Sequence, residues 1–435
     1  MHRVAVGLFA AAVLVGSACQ PTPPVPAIPK APAPAPLVTT TTTRPVTTTT
    51  TRPVTTTTTA PATTTTIAPT TTTTTRSAFG VKVTGHVLTD LDGNVLKLHG
   101  VNRPGTEYRC MTASGGGFIT DANGVDGTTL AYASKIPGHL ATMPGIDLVR
   151  IPMNEDCWFG INGANPAYSG AAYRQFIQAE VAALSARGIA TILDLHWSAP
   201  GTFTATRQDV APNADHSIAF WSQVASAFKG DRSVMFDLHN EPRLSCYTTA
   251  CQDYTTRVTW AWTCYRDGCL YTYSSSDGTG RTGTFQVAGT QQLVDAIRAT
   301  GSQNVIVVEG LAWANDLWQW AQYRPVDPAG QLAAEVHVYP SSGAQTPSAL
   351  DSMLANGGLS SSYPVILGEV GEAICPTDTG FVRSVVDWAI ARGYAWTAWG
   401  WDSGEGCDGP SLVTNNDTGA TTASGAIVKA KLAQA

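Results

Sequence analysis

Eight short apolar runs, spread through residues 96–401, constrain this chain more than any other feature. They are LKLHGVN at 96–102, DLVRIP at 147–152, ATILDLHW at 190–197 and SVMFDLHNEP at 233–242, followed by NVIVVEG at 304–310, AAEVHVYP at 333–340, PVILGEVG at 364–371 and YAWTAWGW at 394–401. Their apolar residues are continuous rather than alternating, as in parallel strands buried on both faces. Between them lie stretches with apolar residues at helical spacing. GAAYRQFIQAEVAALSARG at 170–188 ends at Gly188, a residue suited to a helix C-cap. DHSIAFWSQVASAFKG, FQVAGTQQLVDAIRATG and TGFVRSVVDWAIARG also end at glycine. Strand then helix, repeated eight times, predicts an α/β chain closed into a (β/α)8 TIM barrel. A doubly wound open sheet is the alternative, but no Gly-rich phosphate loop follows the first run. Ahead of the runs, VKVTGHVLTDLDGNVLKLHG reads as an N-terminal β-hairpin turning at Asp92-Gly93, placed to plug the barrel floor. Asp90-Leu91-Asp92-Gly93 has the opening of a calcium loop without its later ligands.

The segment before the hairpin has another composition. Residues 1–18 read as an export signal: Arg3, an apolar run from Val4 to Val15, then the small residues Gly16, Ser17 and Ala18. Two readings of the junction stay open. Either an ordinary signal peptidase cuts after Ala18, or Cys19 is lipidated and tethers the protein to a membrane. Residues 19–77 are almost entirely Pro, Thr, Ala and Val, with TTTTTRPV repeated. Such a segment buries too little apolar surface to offset its ordering entropy, so a disordered Thr/Pro-rich linker is expected. Residues 78–435 form the single folded domain. A secreted, monomeric protein is expected, free or lipid-anchored at the cell surface.

A formal net charge of −6 argues against a nucleic-acid partner, which would require excess Lys and Arg. Twelve Trp and thirteen Tyr residues suit flat sugar rings, although large cores use the same side chains. Nine cysteines fit an exported chain. Setting Cys19 aside leaves eight, an even number, as a disulfide framework requires. Cys110–Cys157 and Cys375–Cys407 are the expected long-range pairs. Cys246, Cys251, Cys264 and Cys269 form a mirror pattern, for which nested disulfides across a hairpin-like excursion are favoured over a zinc site.

In a (β/α)8 barrel the active site lies where strands end and loops begin. Polar residues at the C-terminal ends of the eight runs are Arg150, His196, Asn240, Glu241, Glu309, His337, Tyr339, Glu369, Trp399 and Trp401. Two carboxylates at separate strand ends, beside His, Asn, Arg and Tyr, suit glycosidic cleavage. That reaction needs one acid to protonate the leaving oxygen and a second carboxylate to attack, or to activate water, at the anomeric carbon.

LVRIP, DLHW, FDLHNEP, HVY and ILGEVG, in that order, resemble glycoside hydrolase family 5, the cellulase-type retaining β-glycanases. The resemblance runs through most of 79–435 and implies roles. Glu241 would be the general acid/base and Glu369 the nucleophile. Asn240 would bind the sugar 2-hydroxyl. Arg150 and Tyr339 would orient Glu369 and keep it ionised, and His196 and His337 would line the subsite where the bond breaks. Trp399 would be the floor on which that sugar stacks, with Trp396 and Trp401 close by as rivals. A β-1,4-linked polysaccharide, cellulose or β-glucan first, would be the substrate, and no cofactor or metal is implied.

Each residue also has a plainer reading. Glu241 before Pro242 could close a strand in solvent, and Glu369 could be a structural partner of Arg150. Arg150, His196, His337 and Tyr339 could be core residues, and Glu309 is read as structural. Mannan, xylan or a short β-glycoside is the alternative substrate, chosen by loops such as the insertion from Cys246 to about Thr284. A noncatalytic carbohydrate-binding barrel is disfavoured because a pure binder has no use for two such glutamates. A metal-dependent hydrolase is disfavoured because no HExxH or comparable cluster exists.

Overall fold

The computed structural model describes residues 79–111, 133, 135–246, 251, 253–340, 345–359, 361–373, 380–403 and 409–434. The export signal, the linker and the Cys375–Cys407 pair lie outside these residues.

The strands are β1 (Lys82–Thr84), β2 (Val87–Thr89), β3 (His99–Asn102), β4 (Leu148–Asn154), β5 (Ala190–Trp197), β6 (Val234–Asp237), β7 (Leu270–Thr272), β8 (Thr284–Gln286), β9 (Ile306–Glu309), β10 (Leu332–Val338), β11 (Val365–Val370), β12 (Ala395–Ala398), β13 (Val413–Asn415) and β14 (Ala420–Thr421). Eight of them, β3, β4, β5, β6, β9, β10, β11 and β12, close a barrel in chain order. Every neighbouring pair in it is parallel. Each strand coincides with one of the eight apolar runs, β4 running two residues past its run to Asn154 and β10 starting one residue before its run at Leu332. Their residues are buried throughout because the barrel interior takes one face and the helices take the other.

The helices follow from the spacing of their apolar residues. Ala171–Ser185 buries Tyr173, Phe176, Ile177, Val181 and Leu184, which recur at three- and four-residue intervals on one face. Ser217–Phe228 buries Phe220, Trp221, Val224 and Phe228. Phe381–Arg392 ends on Gly393, whose φ of 68° lets its N–H bond back into the last turn. One expected helix is shorter than its periodicity suggested. Phe285 and Gln286 belong to β8, and the helix is Thr290–Ala299.

At the N-terminal end of the barrel, Val81, Leu88 and Leu98 join Leu148, Ile192, Met235, Val307 and Ile366 in one apolar cluster. The N-terminal hairpin therefore covers the floor. The chain turns at Asp92-Gly93 as expected, with Thr89 bridged antiparallel to Val95, and it turns once more before that: β1 and β2 pair antiparallel with Thr84 opposite Val87, around Gly85-His86. Gly85, at φ 61°, supplies the left-handed turn. Asp92-Gly93 makes a second turn, where Asp90 Oδ1 accepts from the Asn94 N–H at 2.8 Å.

Cys110–Cys157 is paired as expected, with a Cα–Cα distance of 5.4 Å. It ties the loop after β3 to the short helix Glu155–Phe159. The nested pairing is overturned. Cys246 pairs with Cys251 and Cys264 with Cys269. The helix Tyr254–Asp267 explains this, because it separates Cys251 from Cys264 by ten residues of rise, roughly 15 Å. A disulfide spans less than about 7 Å between Cα atoms. Gly268, at φ 82°, instead turns the chain back so that Cys269 reaches Cys264. No helix among the described residues is long and apolar enough to cross a membrane.

Candidate active site

All eight expected site residues meet at the C-terminal mouth of the barrel or just beneath it. The centre is Arg150, pointing inward from β4 and fully buried. Its Nη1 donates to Glu369 Oε1 at 2.9 Å, and its Nη2 donates to Asn240 Oδ1 at 2.8 Å. The other oxygen of Glu369 accepts from the Tyr339 hydroxyl at 2.7 Å. Two donors from separate strands thus hold the Glu369 carboxylate in one orientation. Asn240, with Oδ1 engaged by Arg150, is left with an Nδ2 donor that has no protein partner among the described residues.

Glu241 faces this pair from the end of β6. His337 Nδ1 lies 3.0 Å from Glu241 Oε1, and Gln208 Nε2 donates to Oε2 at 2.9 Å. A register shift between Val336 and His337 sets His337 directly opposite Glu369 on β11. One oxygen of Glu241, one of Glu369 and a ring nitrogen of His337 all lie within 4.8 Å of one another. The Glu241 backbone is left-handed at φ 50°, a strained choice for a non-glycine residue. Its N–H is held by Glu309 Oε2 at 2.6 Å.

His196 pairs through Nδ1 with Asp194 at 2.6 Å and stacks on Trp399, with centroids 5.4 Å apart. Among the three tryptophans of that segment, Trp396 and Trp401 are buried and Trp399 alone keeps a partly open face. That contrast separates the residues which sequence left as rivals.

Beneath the mouth lies a second layer that the strand-end filter missed apart from Glu309. Arg150 also contacts Asp194, Asp237, Glu309 and Glu335 at 3.0, 2.9, 3.0 and 3.2 Å, and all four carboxylates are fully buried. One guanidinium cannot balance five carboxylates. Burial, with their mutual repulsion, pushes Asp237 and Glu309 well above the ordinary carboxyl range, so protons supply the missing positive charge. Burial also disfavours charge on His337, but Glu369 and Glu309 and its contacts with Glu241 and Glu335 outweigh it, and its pKa is well above that of free imidazole. For Glu241, burial pushes the carboxyl up, while the His337 hydrogen bond and then its charge, with His196 and Gln208, pull it down and prevail. The signal for this layer was present: Asp194 and Glu335 precede His196 and His337 by two residues, the period that returns a strand residue to the same face.

Two further residues escaped the sequence reading. Gln208 belongs to the loop after β5. Trp313 is half exposed on a turn after β9, where Ala312, Trp313 and Ala314 have φ of 56°, 61° and 58°. The Trp313 N–H donates to the Pro242 carbonyl at 3.2 Å, which holds the turn beside Glu241.

A parallel eight-stranded barrel with this mouth defines the chain as a glycosidase of the (β/α)8 type. It belongs to the cellulase family, glycosyl hydrolase family 5, whose profile matches residues 131–405 and so spans every residue of the site. The fold is similar to that of a beta-glucanase from Saccharophagus degradans, at 18% identity over 82% of this chain and 94% of that one, with a TM-score of 0.56. It is similar also to a hyperthermophilic endocellulase from Pyrococcus horikoshii, at 19% identity over 82% and 99% of the two chains, with a TM-score of 0.57. An endo-beta-1,4-glucanase from Xanthomonas axonopodis pv. citri matches at 21% identity over 78% and 100%, with a TM-score of 0.50. The Saccharophagus beta-glucanase has also been solved in complex with cellotetraose.

Proposed function

We propose that the protein is a secreted endo-acting β-glucanase that cleaves β-1,4-linked glucan with retention of anomeric configuration. The observation that carries this reading is the facing pair, one oxygen of Glu241 and one of Glu369 within 4.8 Å. Retaining glycosidases keep the two carboxyl groups roughly 5–5.5 Å apart, whereas inverting ones leave about 6.5–9.5 Å for a water. Glu369, oriented by Arg150 and Tyr339, attacks the anomeric carbon. The glycosidic bond breaks as Glu241 gives its proton to the leaving oxygen. Water then attacks the glycosyl ester, Glu241 takes the water's proton, and the bond to Glu369 breaks. The donors on Glu241 favour its ionised form, the one the second step uses.

Asn240 Nδ2, without a protein partner among the described residues, is the donor for the sugar 2-hydroxyl. Trp399 is the stacking platform at the cleavage subsite, held flat by His196. Family membership, the beta-glucanase and endocellulase neighbours, and the one solved with cellotetraose support β-glucan over mannan or xylan. Residues 1–18 act as the export signal, 19–77 as the linker and 78–435 as the catalytic domain, and the three disulfides suit an oxidising compartment. Cys19→Ser tests the anchor: a lipidated protein moves from the membrane fraction to the medium, and an unchanged distribution removes the anchor.

The deciding measurement is reducing-sugar release from mixed-linkage glucan, carboxymethylcellulose, mannan and xylan, with proton NMR of the first product and Glu369→Gln as control. Release from the glucans as the β-anomer, abolished in the control, is expected. An α-anomer would remove Glu369 as nucleophile, and release from mannan or xylan alone would replace the substrate.

A further inference from the structure

The excursion between β6 and β9 packs along the loop after β5, and two of its side chains reach the residue next to Gln208. The hairpin of β7 and β8 carries Tyr273 and Arg281 just beyond its paired residues, and both converge on Asp209 Oδ2. The Tyr273 hydroxyl donates to it at 2.8 Å and Arg281 Nη1 forms an ion pair with it. Asp209 is buried, and its own carbonyl accepts from Arg243 Nη1 at 2.9 Å. Arg243 in turn donates through Nε to the Asp277 carbonyl in the same excursion, at 3.0 Å. The clamped residue is the immediate neighbour of Gln208, whose amide donates to Glu241 Oε2 at 2.9 Å. Nothing else in the loop from Gly201 to Arg207 bonds to Glu241 among the described residues.

We infer that Gln208 is a positioning residue for Glu241, and that the disulfide-stapled excursion holds it there through Tyr273, Arg281 and Asp209. This rests on Glu241 being the acid/base. The groups facing Glu241 are His337 and Tyr339 from the β10 end, Glu369 from β11, His196 from β5, Glu309 from β9 and Arg243 from its own loop. Beside these groups, Gln208 is the one neutral amide that donates to the Glu241 carboxylate among the described residues. It stabilises the carboxylate without bringing a charge, so it favours the base over the acid. The Cys264–Cys269 staple lies where the helix Tyr254–Asp267 turns into β7, and it sets the direction in which the hairpin leaves that helix.

The test compares Gln208→Met, Gln208→Glu and the double variant Tyr273→Phe/Arg281→Met with the full-length protein. One substrate is cellotetraose, whose leaving group needs a proton. The other is 2,4-dinitrophenyl β-cellobioside, whose leaving group does not. Losing a hydrogen bond to the carboxylate raises the Glu241 pKa. The alkaline limb of kcat/KM on cellotetraose should therefore move up by about half to one pH unit in Gln208→Met. The acid limb of kcat on the aryl substrate, set by the base in the second step, should move up with it. Gln208→Glu should move both further, and the remote double variant should move both in the same direction by less. Glu241→Gln serves as the reference. If it does not spare the first step on the aryl substrate relative to cellotetraose, the acid/base reading itself falls. If it does spare that step and Gln208→Met lowers rates with both limbs unmoved, Gln208 is merely structural and the inference is overturned. If Gln208→Met shifts the limbs but the double variant leaves them in place, the clamp is overturned.

Discussion

At the scale of single residues, the site is an arrangement of donors around two carboxylates, and each donor has its own expected cost. Tyr339→Phe removes one of the two hydrogen bonds on Glu369. A bond to a charged group contributes about 1.5–3 kcal/mol, so kcat/KM should fall roughly 10- to 150-fold with the fold intact by circular dichroism. Asn240→Ala removes the unpartnered donor, and a loss of about 10²–10³ in kcat is expected, as for a contact that strengthens only in the transition state. Arg150→Met should instead act on stability. It leaves five carboxylates without their cation, and breaking a buried charge network of this kind costs about 3–5 kcal/mol, read as a lower midpoint in urea. The residues of the mouth were legible in sequence because strand ends are visible as the last polar residue of an apolar run. Asp194, Asp237 and Glu335 were harder to read: the two-residue spacing of Asp194 and Glu335 from His196 and His337 is a signal, but a charge within an apolar run reads as an interruption until the barrel closes around Arg150. Gln208 was invisible because it sits in a loop whose path depends on contacts with a segment more than sixty residues away.

At the scale of elements, the eight strands were legible because burial on both faces imposes continuous apolar runs. The disulfides in the excursion were not, because their pairing depends on where a helix interposes its length. Turns were legible in part: Asp92-Gly93 closes a hairpin as its sequence predicts, with Thr89 bridged to Val95, whereas the earlier turn at Gly85, at φ 61°, was not read. Asp147, just before β4, shows how an element end sets a pH dependence. Burial pushes its carboxyl up to about 7, although its Oδ1 accepts the His99 N–H at 2.6 Å. An acid whose folded pKa is raised contributes most below its unfolded pKa near 4, and that contribution is lost as pH rises through about 7. Asp147→Asn, which keeps the acceptor, should therefore raise Tm by a few degrees at pH 8 and leave it unchanged at pH 4. The turn at Ala312–Ala314 stores strain of about 1–2 kcal/mol per residue. Ala312→Gly should recover part of it as a higher Tm.

At the scale of the whole molecule, the disulfides differ in reach. Cys110–Cys157 closes a separation of 47 residues and Cys246–Cys251 one of 5. Loop-closure entropy assigns them about 4 and about 2 kcal/mol. Removing the first by Cys→Ser at both positions should lower the urea midpoint more than removing the second. The buried charge layer has a wider consequence. Its members come from β4, β5, β6, β9, β10 and β11, so Arg150 and Glu369 meet across 219 residues of sequence. A chain divided after β9 would leave the cation in one piece and Glu335, His337 and Glu369 in the other. The first piece would keep Arg150 with Asp194, Asp237 and Glu309, but the second would have to bury Glu335 and Glu369 without Arg150, and each would be left with open sheet edges. Half-barrels of this protein should therefore fail as independent folds, and co-expressed halves should become soluble only as a reassembled pair.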